Sequence, residues 1–140
     1  MEKQTQTSPV DASHSEQNLI WGLLLSMRIE GFQEIEISNG LFHKAFARLL
    51  DEHEDQVLQL LGFMPVANPL FGEFASVNEA LDEAHRAGIV GFHNPTYRRM
   101  TLELSRESAQ RLLGRIGQNG ATYQKLAHSF AQYYSKLANK

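Results

Sequence analysis

The stretch GIVGFHNPTYRRMTLELS, from Gly88 to Ser105, decides how the fold is interpreted. Its first apolar residues are followed by the turn-forming pair Asn94-Pro95, and its second half alternates apolar and polar side chains from Met100 onward. This arrangement is typical of two short strands joined by a turn. We therefore predict a β-hairpin in which Ile89, Val90 and Phe92 form one strand and Met100, Leu102 and Leu104 alternate with Thr101 and Glu103 on the other.

A long apolar helix and a short strand are predicted upstream of this hairpin. The S-x-x-E spacing of Ser13 and Glu16 is that of a capping box, and apolar side chains then recur on more than one side of the helix until Gly31. Such a helix is expected to be largely buried. Ile35 and Ile37 alternate with glutamates, which predicts a half-buried strand.

Further helices are predicted on both sides of the hairpin from apolar residues at helical spacing. Ser38 or Asn39 is expected to cap one long bent helix or two short ones that end at Gly62. A second capping box, Ser76 to Glu79, opens the helix that ends at Gly88. Ser105 caps the first of two C-terminal helices, which together reach about residue 138.

The order helix, strand, helix, helix, hairpin resembles the winged helix-turn-helix superfamily over about residues 18–104. The most specific part of the resemblance is EALDEAHRAGIVGF, residues 79–92, followed by RRMTLELS, residues 98–105. It implies a mainly α fold with a small β-hairpin, a winged-helix-like domain followed by C-terminal helices at residues 105–138. Residues 51–75 depart from the family, because winged helices join their second and third helices by a short turn.

The composition indicates one soluble domain, residues 13–140, after a flexible polar tail at residues 1–12. The chain holds 13 basic and 16 acidic residues, for a net charge of −3, so any attraction for nucleic acid requires a local basic patch. Cysteine is absent, which excludes disulfides and thiolate chemistry and is compatible with the cytoplasm. The apolar run at residues 19–27 is too short to span a bilayer, so no membrane partner is expected.

Two surfaces are candidates for contact with nucleic acid. In the helix before the hairpin, three of the five positions expected to be exposed are acidic, and these would repel phosphate; the five are Asn78, Glu79, Asp82, Glu83 and Arg86. The hairpin, or wing, offers donors to phosphate: His93, Asn94, Thr96, Arg98 and Arg99. The structural alternative is that one of the two arginines pairs with a carboxylate such as Glu103. Further basic residues lie beyond the hairpin: Arg106, Arg111, Arg115 and Lys125. They form one basic strip with the wing, or they form a solvated face.

Two groups of apolar residues suggest a surface for contact with a protein. The segment at residues 64–75 contains two prolines and a glycine, yet it is too apolar for a solvated linker. The last helix carries adjacent tyrosines, and one of the two leans away from its main stripe. We therefore expect Phe63, Leu70, Phe71, Phe74, Tyr133 and Tyr134 to form a protein interface or to pack on the domain itself.

No motif in the sequence identifies a reaction, a metal site or a cofactor. The six histidines show neither H-x-x-x-H nor H-E-x-x-H spacing, and no G-x-S-x-G elbow or phosphate-binding glycine loop is present. We predict no enzymatic activity, no catalytic or metal-binding residues and no cofactor. The favoured function is a protein-interaction module, an accessory or regulatory subunit of a larger assembly or a homodimer. The alternative is a DNA-binding transcriptional regulator that contacts duplex DNA through its wing.

Overall fold

The computed structural model describes residues 9–70, 72–92, 99–116 and 120–138. Within these ranges the chain forms six α-helices and a small three-stranded sheet. Its elements, in chain order, are α1 (Pro9–Glu30), β1 (Glu34–Glu36), a short 3-10 turn (Ser38–Gly40), α2 (Leu41–Glu52), α3 (Glu54–Leu61), α4 (Ala75–Arg86), β2 (Val90–Gly91), β3 (Arg99–Leu102), α5 (Arg106–Ile116) and α6 (Gly120–Ala138). The prediction of a mainly helical fold with a small hairpin and two C-terminal helices is confirmed.

Helix α1 lies at the centre of the fold and is buried on nearly every side. Its residues from Leu19 to Met27, except Trp21, are each almost completely inaccessible to solvent. Helices α3, α4, α5 and α6 all contact it, and α2 packs in turn on α6. Because α1 presents apolar side chains in all directions, it is stable only when other helices surround it.

The sheet places β3 between β1 and β2, and both pairings are antiparallel. Met100 and Leu102 are buried whereas Arg99 is exposed, so β3 shows the alternation that the sequence predicts. Ile35 of β1 lies opposite Met100, and both side chains are fully buried. The sheet thus closes one side of the helical core.

Three long-range hydrogen bonds between a side chain and the backbone hold the surrounding elements together. Trp21 Nε1 donates to the carbonyl oxygen of Ala80 in α4 at 2.9 Å. Arg28 Nε donates to the carbonyl oxygen of Leu104, which follows β3, at 2.7 Å. The hydroxyl of Tyr134 in α6 accepts a hydrogen bond from the backbone N–H of Glu36 in β1. Each bond satisfies a polar group within the packed fold.

The helix ends agree with the predictions at the glycines but not at most of the predicted caps. Gly31, Gly62 and Gly88 follow α1, α3 and α4 with positive φ angles, as predicted. Ser105 caps α5, because its hydroxyl accepts a hydrogen bond from the backbone N–H of Ser108 at 3.1 Å. The pair of short helices, α2 and α3, was one of the two predicted alternatives.

The two predicted capping boxes are wrong, and so is the cap predicted for α2. Helix α1 begins at Pro9, upstream of Ser13, so residues 9–12 belong to the helix and not to a tail. Helix α4 begins at Ala75, one residue before Ser76, and no side chain caps it. Helix α2 follows Gly40, and the hydroxyl of Ser38 donates to Glu36 Oε2 at 2.6 Å instead.

A glycine on α1 determines how closely α6 approaches the centre of the fold. A Cβ atom added to Gly22 would stand 2.7 Å from Cγ of Tyr123. It would also stand 3.0 Å from Cβ of Tyr123, an atom that no rotation of the side chain moves. The contact between α1 and α6 therefore depends on the absence of a side chain at position 22.

We predict that Gly22→Ala destabilises the fold by up to about 2 kcal/mol. Alanine gains about 1 kcal/mol in helix propensity, but overpacking against Tyr123 costs about 1–3 kcal/mol. Gly114→Ala in α5 is the matched control, because nothing lies within 4 Å of its added Cβ atom. Urea unfolding of both variants measures the difference. A Gly22→Ala variant that is as stable as Gly114→Ala would contradict the close approach.

We also predict that the stability contributed by Tyr134 is lost at alkaline pH. Burial raises the pKa of the Tyr134 hydroxyl, and the nearby Glu36 carboxylate raises it further, although the backbone hydrogen bond from Glu36 lowers it. The folded state thus retains this proton above pH 10, the ordinary tyrosine value, where the unfolded chain has lost it. The contribution of Tyr134 to the free energy of unfolding is constant below pH 10. It falls as the pH rises from there through the folded-state pKa.

Tyr134→Phe isolates this contribution. At neutral pH it costs about 1–2 kcal/mol, because the N–H of Glu36 loses its acceptor. The decline of stability above pH 10 becomes shallower than in the wild-type chain, as followed by urea unfolding at each pH. An equally steep decline in both proteins would show that Tyr134 does not cause it.

Candidate functional site

The exposed large apolar side chains of the described residues all lie between positions 58 and 70. They are Leu58 at the end of α3, which is 39% exposed, and Val66 and Leu70 in the following segment, which are 84% and 83% exposed. We call these three side chains the apolar surface. Single exposed apolar residues are common on proteins, but their concentration in one short stretch is typical of an interaction site.

Val66 and Leu70 belong to a segment that we call the apolar loop, residues 62–74, whose described residues, 62–70 and 72–74, form no regular secondary structure. Three hydrogen bonds that involve Asn68 close the tip of the apolar loop into a turn. The side-chain Oδ1 of Asn68 accepts the N–H of Leu70 at 2.8 Å, and its carbonyl oxygen accepts the N–H of Gly72 at 2.8 Å. The N–H of Asn68 donates to the carbonyl oxygen of Glu73 at 2.7 Å. Gly72 has φ +69°, a conformation that favours glycine.

A buried histidine of α2 fixes the C-terminal end of the apolar loop. His43 Nδ1 accepts the backbone N–H of Phe74 at 3.0 Å, so the neutral ring carries its proton on Nε2. His43 Nε2 then donates to Oδ1 of Asn78 in α4 at 3.1 Å. The Phe74 ring is buried between His43, with centroids 6.2 Å apart, and the edge-on ring of Phe46 at 5.1 Å. The loop therefore ends at a fixed point of the core.

The N-terminal end of the apolar loop is anchored as well. Gly62 ends α3 in the left-handed conformation, with its N–H donating to the carbonyl oxygen of Leu58 at 2.8 Å. Phe63 and Met64 are half-buried and pack against the core. Because both ends are attached and Asn68 closes the tip, the exposed side chains of Val66 and Leu70 are held in place at little further entropic cost.

The junction of α2 and α3 forms a polar cleft of about 430 Å³. The cleft is lined by residues 51–56 and by Lys125 of α6. His53 at the junction is fixed against α6, since its Nε2 lies 3.3 Å from the hydroxyl of Tyr133. The Arg48 guanidinium lies over the Tyr133 ring, 5.0 Å from its centroid. Within the described ranges, no three His, Asp or Glu side chains come together as metal ligands would.

A second, shallower groove of about 520 Å³ lies between the end of α1 and α6. Its side chains include His128, whose Nδ1 lies 3.9 Å from Glu30 Oε2 and whose Nε2 lies 3.3 Å from Gln132 Nε2. Phe32 supplies its half-buried apolar wall. The residues share no catalytic arrangement, so the groove has no evident chemistry.

The six residues predicted to form a protein interface differ in their exposure to solvent. Leu70 is exposed, and Phe63 and Tyr133 are half-buried. Phe74 and Tyr134 are only 3% and 8% exposed, so the expectation that they present a contact surface is corrected: the core of the chain itself accommodates them. Phe71 lies outside the described residues.

The predicted wing contacts lie largely outside the described ranges. These are His93, Asn94, Thr96 and Arg98. Arg99 is described and exposed, and its Nη1 lies 3.5 Å from Glu34 Oε1 on the neighbouring strand. Arg99 therefore pairs with a carboxylate of the neighbouring strand β1. A phosphate at this position would have to compete with Glu34.

The described helices have two contrasting surfaces. The five positions of α4 that were expected to be exposed are exposed, and Arg86 pairs there with Glu83 and with Asp82. In α5 the exposed side chains include Arg106, Arg111 and Arg115. The acidic surface adjoins the apolar loop, and the basic surface belongs to the C-terminal part of the chain.

Two residues that position the apolar loop were not identified from the sequence. His43 lies one turn before Phe46 on the apolar face of α2, and a histidine on such a face signals a buried hydrogen-bonding group. Asn68 stands two residues before Leu70, a spacing at which asparagine forms turns with its own side chain. Both signals were present in the sequence, although neither indicates which groups the two side chains bind.

Comparison of the chain with protein-family models, with curated proteins and with solved structures finds no match. None of the described helices combines the length and the apolar content that a membrane span requires.

We predict that His43→Phe releases the apolar loop from the core. Phenylalanine keeps a ring beside Phe74 but removes both nitrogens, which leaves the buried N–H of Phe74 without an acceptor and costs about 1–3 kcal/mol. Amide hydrogen exchange at Phe74 should accelerate, and urea unfolding should show the loss of stability. His85→Phe, at an exposed position of α4, is the matched control. Equal stability and equal Phe74 exchange in the two variants would contradict the anchoring role.

Proposed function

We propose that the chain is a non-enzymatic protein-interaction module, an accessory or regulatory subunit of a larger assembly or a homodimer. The observation that carries the proposal is the exposure of Val66 and Leu70 on an anchored loop. Val66 and Leu70 are more than four-fifths exposed, yet the loop beneath them is fixed by hydrogen bonds at Asn68 and His43. A partner that covers them gains apolar burial without first ordering the loop.

The proposal assigns the surrounding elements a supporting role. The order of α1, β1, α2, α4, β2 and β3, with β3 between the other two strands, supports a winged-helix-like domain. In this proposal, α3 and the apolar loop are an insertion between the second and third helices of such a domain. The absence of cysteine and of catalytic motifs from the sequence supports a cytoplasmic, non-catalytic protein.

A DNA-binding transcriptional regulator is the second candidate. It is favoured by the exposed arginines of α5, which lie close in sequence to the wing. The acidic exposed face of α4 opposes it, because a third helix that enters a DNA groove would bring Glu79, Asp82 and Glu83 toward phosphates. Contact would therefore rely on the wing and on α5.

The module is tested by placing a photo-crosslinking benzoylphenylalanine at position 70 in cells that make the protein. We expect a discrete protein adduct that disappears when Val66→Ser is added, because the substitution removes neighbouring apolar area. The same crosslinker at Gln110, an exposed position of α5, is the control and should give no such adduct. Adducts that are identical at both positions, or unaffected by Val66→Ser, would contradict the proposal.

The DNA alternative is tested by fluorescence anisotropy with a mixed-sequence duplex. A regulator should bind at micromolar concentration or tighter, weaken steeply with added salt, and lose binding when Arg98→Ala and Arg99→Ala are combined. We expect no binding at low salt, which would leave the arginines with a structural role. Salt-sensitive binding that the double substitution removes would favour the regulator over the module.

A further inference from the structure

Charge is strongly segregated around the apolar surface. Between Arg48 and Arg86 the chain contains eight Asp or Glu residues and neither Lys nor Arg. The chain as a whole carries 13 basic and 16 acidic residues, so the remaining positions hold 13 basic and 8 acidic residues. The net charge of −3 thus conceals an acidic region of −8 and a remainder of +5.

All eight of these carboxylates are exposed, and in the sequence they flank the apolar surface, with four before Leu58 and four after Leu70. We call them the acidic border: Asp51, Glu52, Glu54, Asp55, Glu73, Glu79, Asp82 and Glu83. On α3, Glu54 and Asp55 precede Leu58 by four and three residues, a spacing that puts all three on one helix face. At the other side, Glu73 ends the turn that holds Leu70 and accepts the side-chain N–H of Asn78 in α4 at 3.4 Å.

Residues 49–85, which hold the acidic border, contain no Lys or Arg that could neutralise it. Arg86 pairs with Asp82 and Glu83 at the far end of α4, and Lys125 faces the cleft at residues 51–56. With these two cations set against eight carboxylates, an excess of negative charge remains. Exposed carboxylates in such numbers produce a negative potential that repels anions and attracts cations.

We propose that the apolar surface binds a cationic, apolar-faced segment of another protein. The inference rests on the proposed function and specifies the chemistry of the partner. Apolar side chains of the segment would cover Leu58, Val66 and Leu70, and its Lys or Arg side chains would lie against the acidic border. Electrostatic complementarity of this kind selects partners and accelerates their association.

The same charges argue against other occupants of this surface. A two-fold contact between copies of the chain would place the same patch of both copies face to face and oppose their acidic borders. A nucleic acid or an anionic lipid surface would meet the same carboxylates with like charge. A cationic protein segment with an apolar face would cover the exposed apolar side chains and place its positive charges against the acidic border.

Three fluorescent peptides of about 18 residues, long enough to form an amphipathic helix, test the proposal. They share one leucine face and carry lysine, glutamine or glutamate on the other face. We expect the lysine peptide to bind the full chain with micromolar affinity and to weaken with salt, the glutamine peptide to bind more weakly, and the glutamate peptide not to bind. Anisotropy measures all three.

Variants locate the binding on the chain. Val66→Ser with Leu70→Ser should weaken the lysine peptide about tenfold or more, and Glu54→Gln with Asp55→Asn about threefold. Arg111→Gln in α5 is the control and should leave the affinity unchanged. Because all these positions are exposed, the variants should unfold in urea like the wild-type chain.

The outcomes separate this inference from the proposed function. If the glutamine peptide binds as tightly as the lysine peptide and Val66→Ser with Leu70→Ser abolishes both, the module stands and the cationic partner is overturned. Lysine-peptide binding that survives this double substitution, or no binding of any peptide, overturns the inference; the crosslinks from position 70 then decide the module separately. Self-association of the chain in light scattering that the double substitution abolishes identifies a second copy as the occupant and overturns it as well.

Discussion

The burial of α1 on nearly every side is the constraint on which the rest of the structure depends. A helix with Leu19, Leu23 and Met27 inaccessible to solvent is stable only when other elements surround it, and four helices do so. The close approach of α6 at Gly22 and the hydrogen bond from Trp21 to α4 follow from this arrangement. With α4 held against α1, the end of the apolar loop at Phe74 has a fixed position. The burial of one helix therefore determines where the exposed loop stands.

Local features of the fold were predictable from the sequence, whereas long-range pairings were not. The strands around Ile35, Val90 and Met100 each follow from a few neighbouring residues, as do the helix ends at Gly31, Gly62 and Gly88. The strands are shorter than predicted, because Ile37, Ile89, Phe92 and Leu104 lie outside them. The addition of β1 to the far side of β3 joins residues distant in sequence, which no local pattern encodes. The predicted capping boxes are wrong because tertiary contacts override a local signal. Helix α4, for example, begins at Ala75, one residue before Ser76, because the hydrogen bond to His43 fixes Phe74.

The candidate site was predictable in composition but not in detail. The sequence indicated that the segment around Leu70 is too apolar for a linker, and Leu70 is exposed. It did not indicate that Phe74 turns inward, because both residues are large and apolar and only the position of the loop end distinguishes them. His43 and Asn68, which hold the loop, act on backbone groups whose location depends on the complete fold. The gap in basic residues between Arg48 and Arg86 was present in the sequence, but its meaning depends on the exposure of the carboxylates within it.

The proposed site requires that the apolar side chains be held outside the fold by a loop that is ordered before any partner binds. Backbone ¹⁵N relaxation of the free protein tests this claim most directly, because it reports motion on the timescale of loop disorder. We expect order parameters of about 0.8 or higher at residues 66–70 and at Gly72, close to those of α2 and α4. Values below about 0.6 in this segment, with the helices remaining rigid, would contradict it. The loop would then be a flexible connection and not a preformed surface.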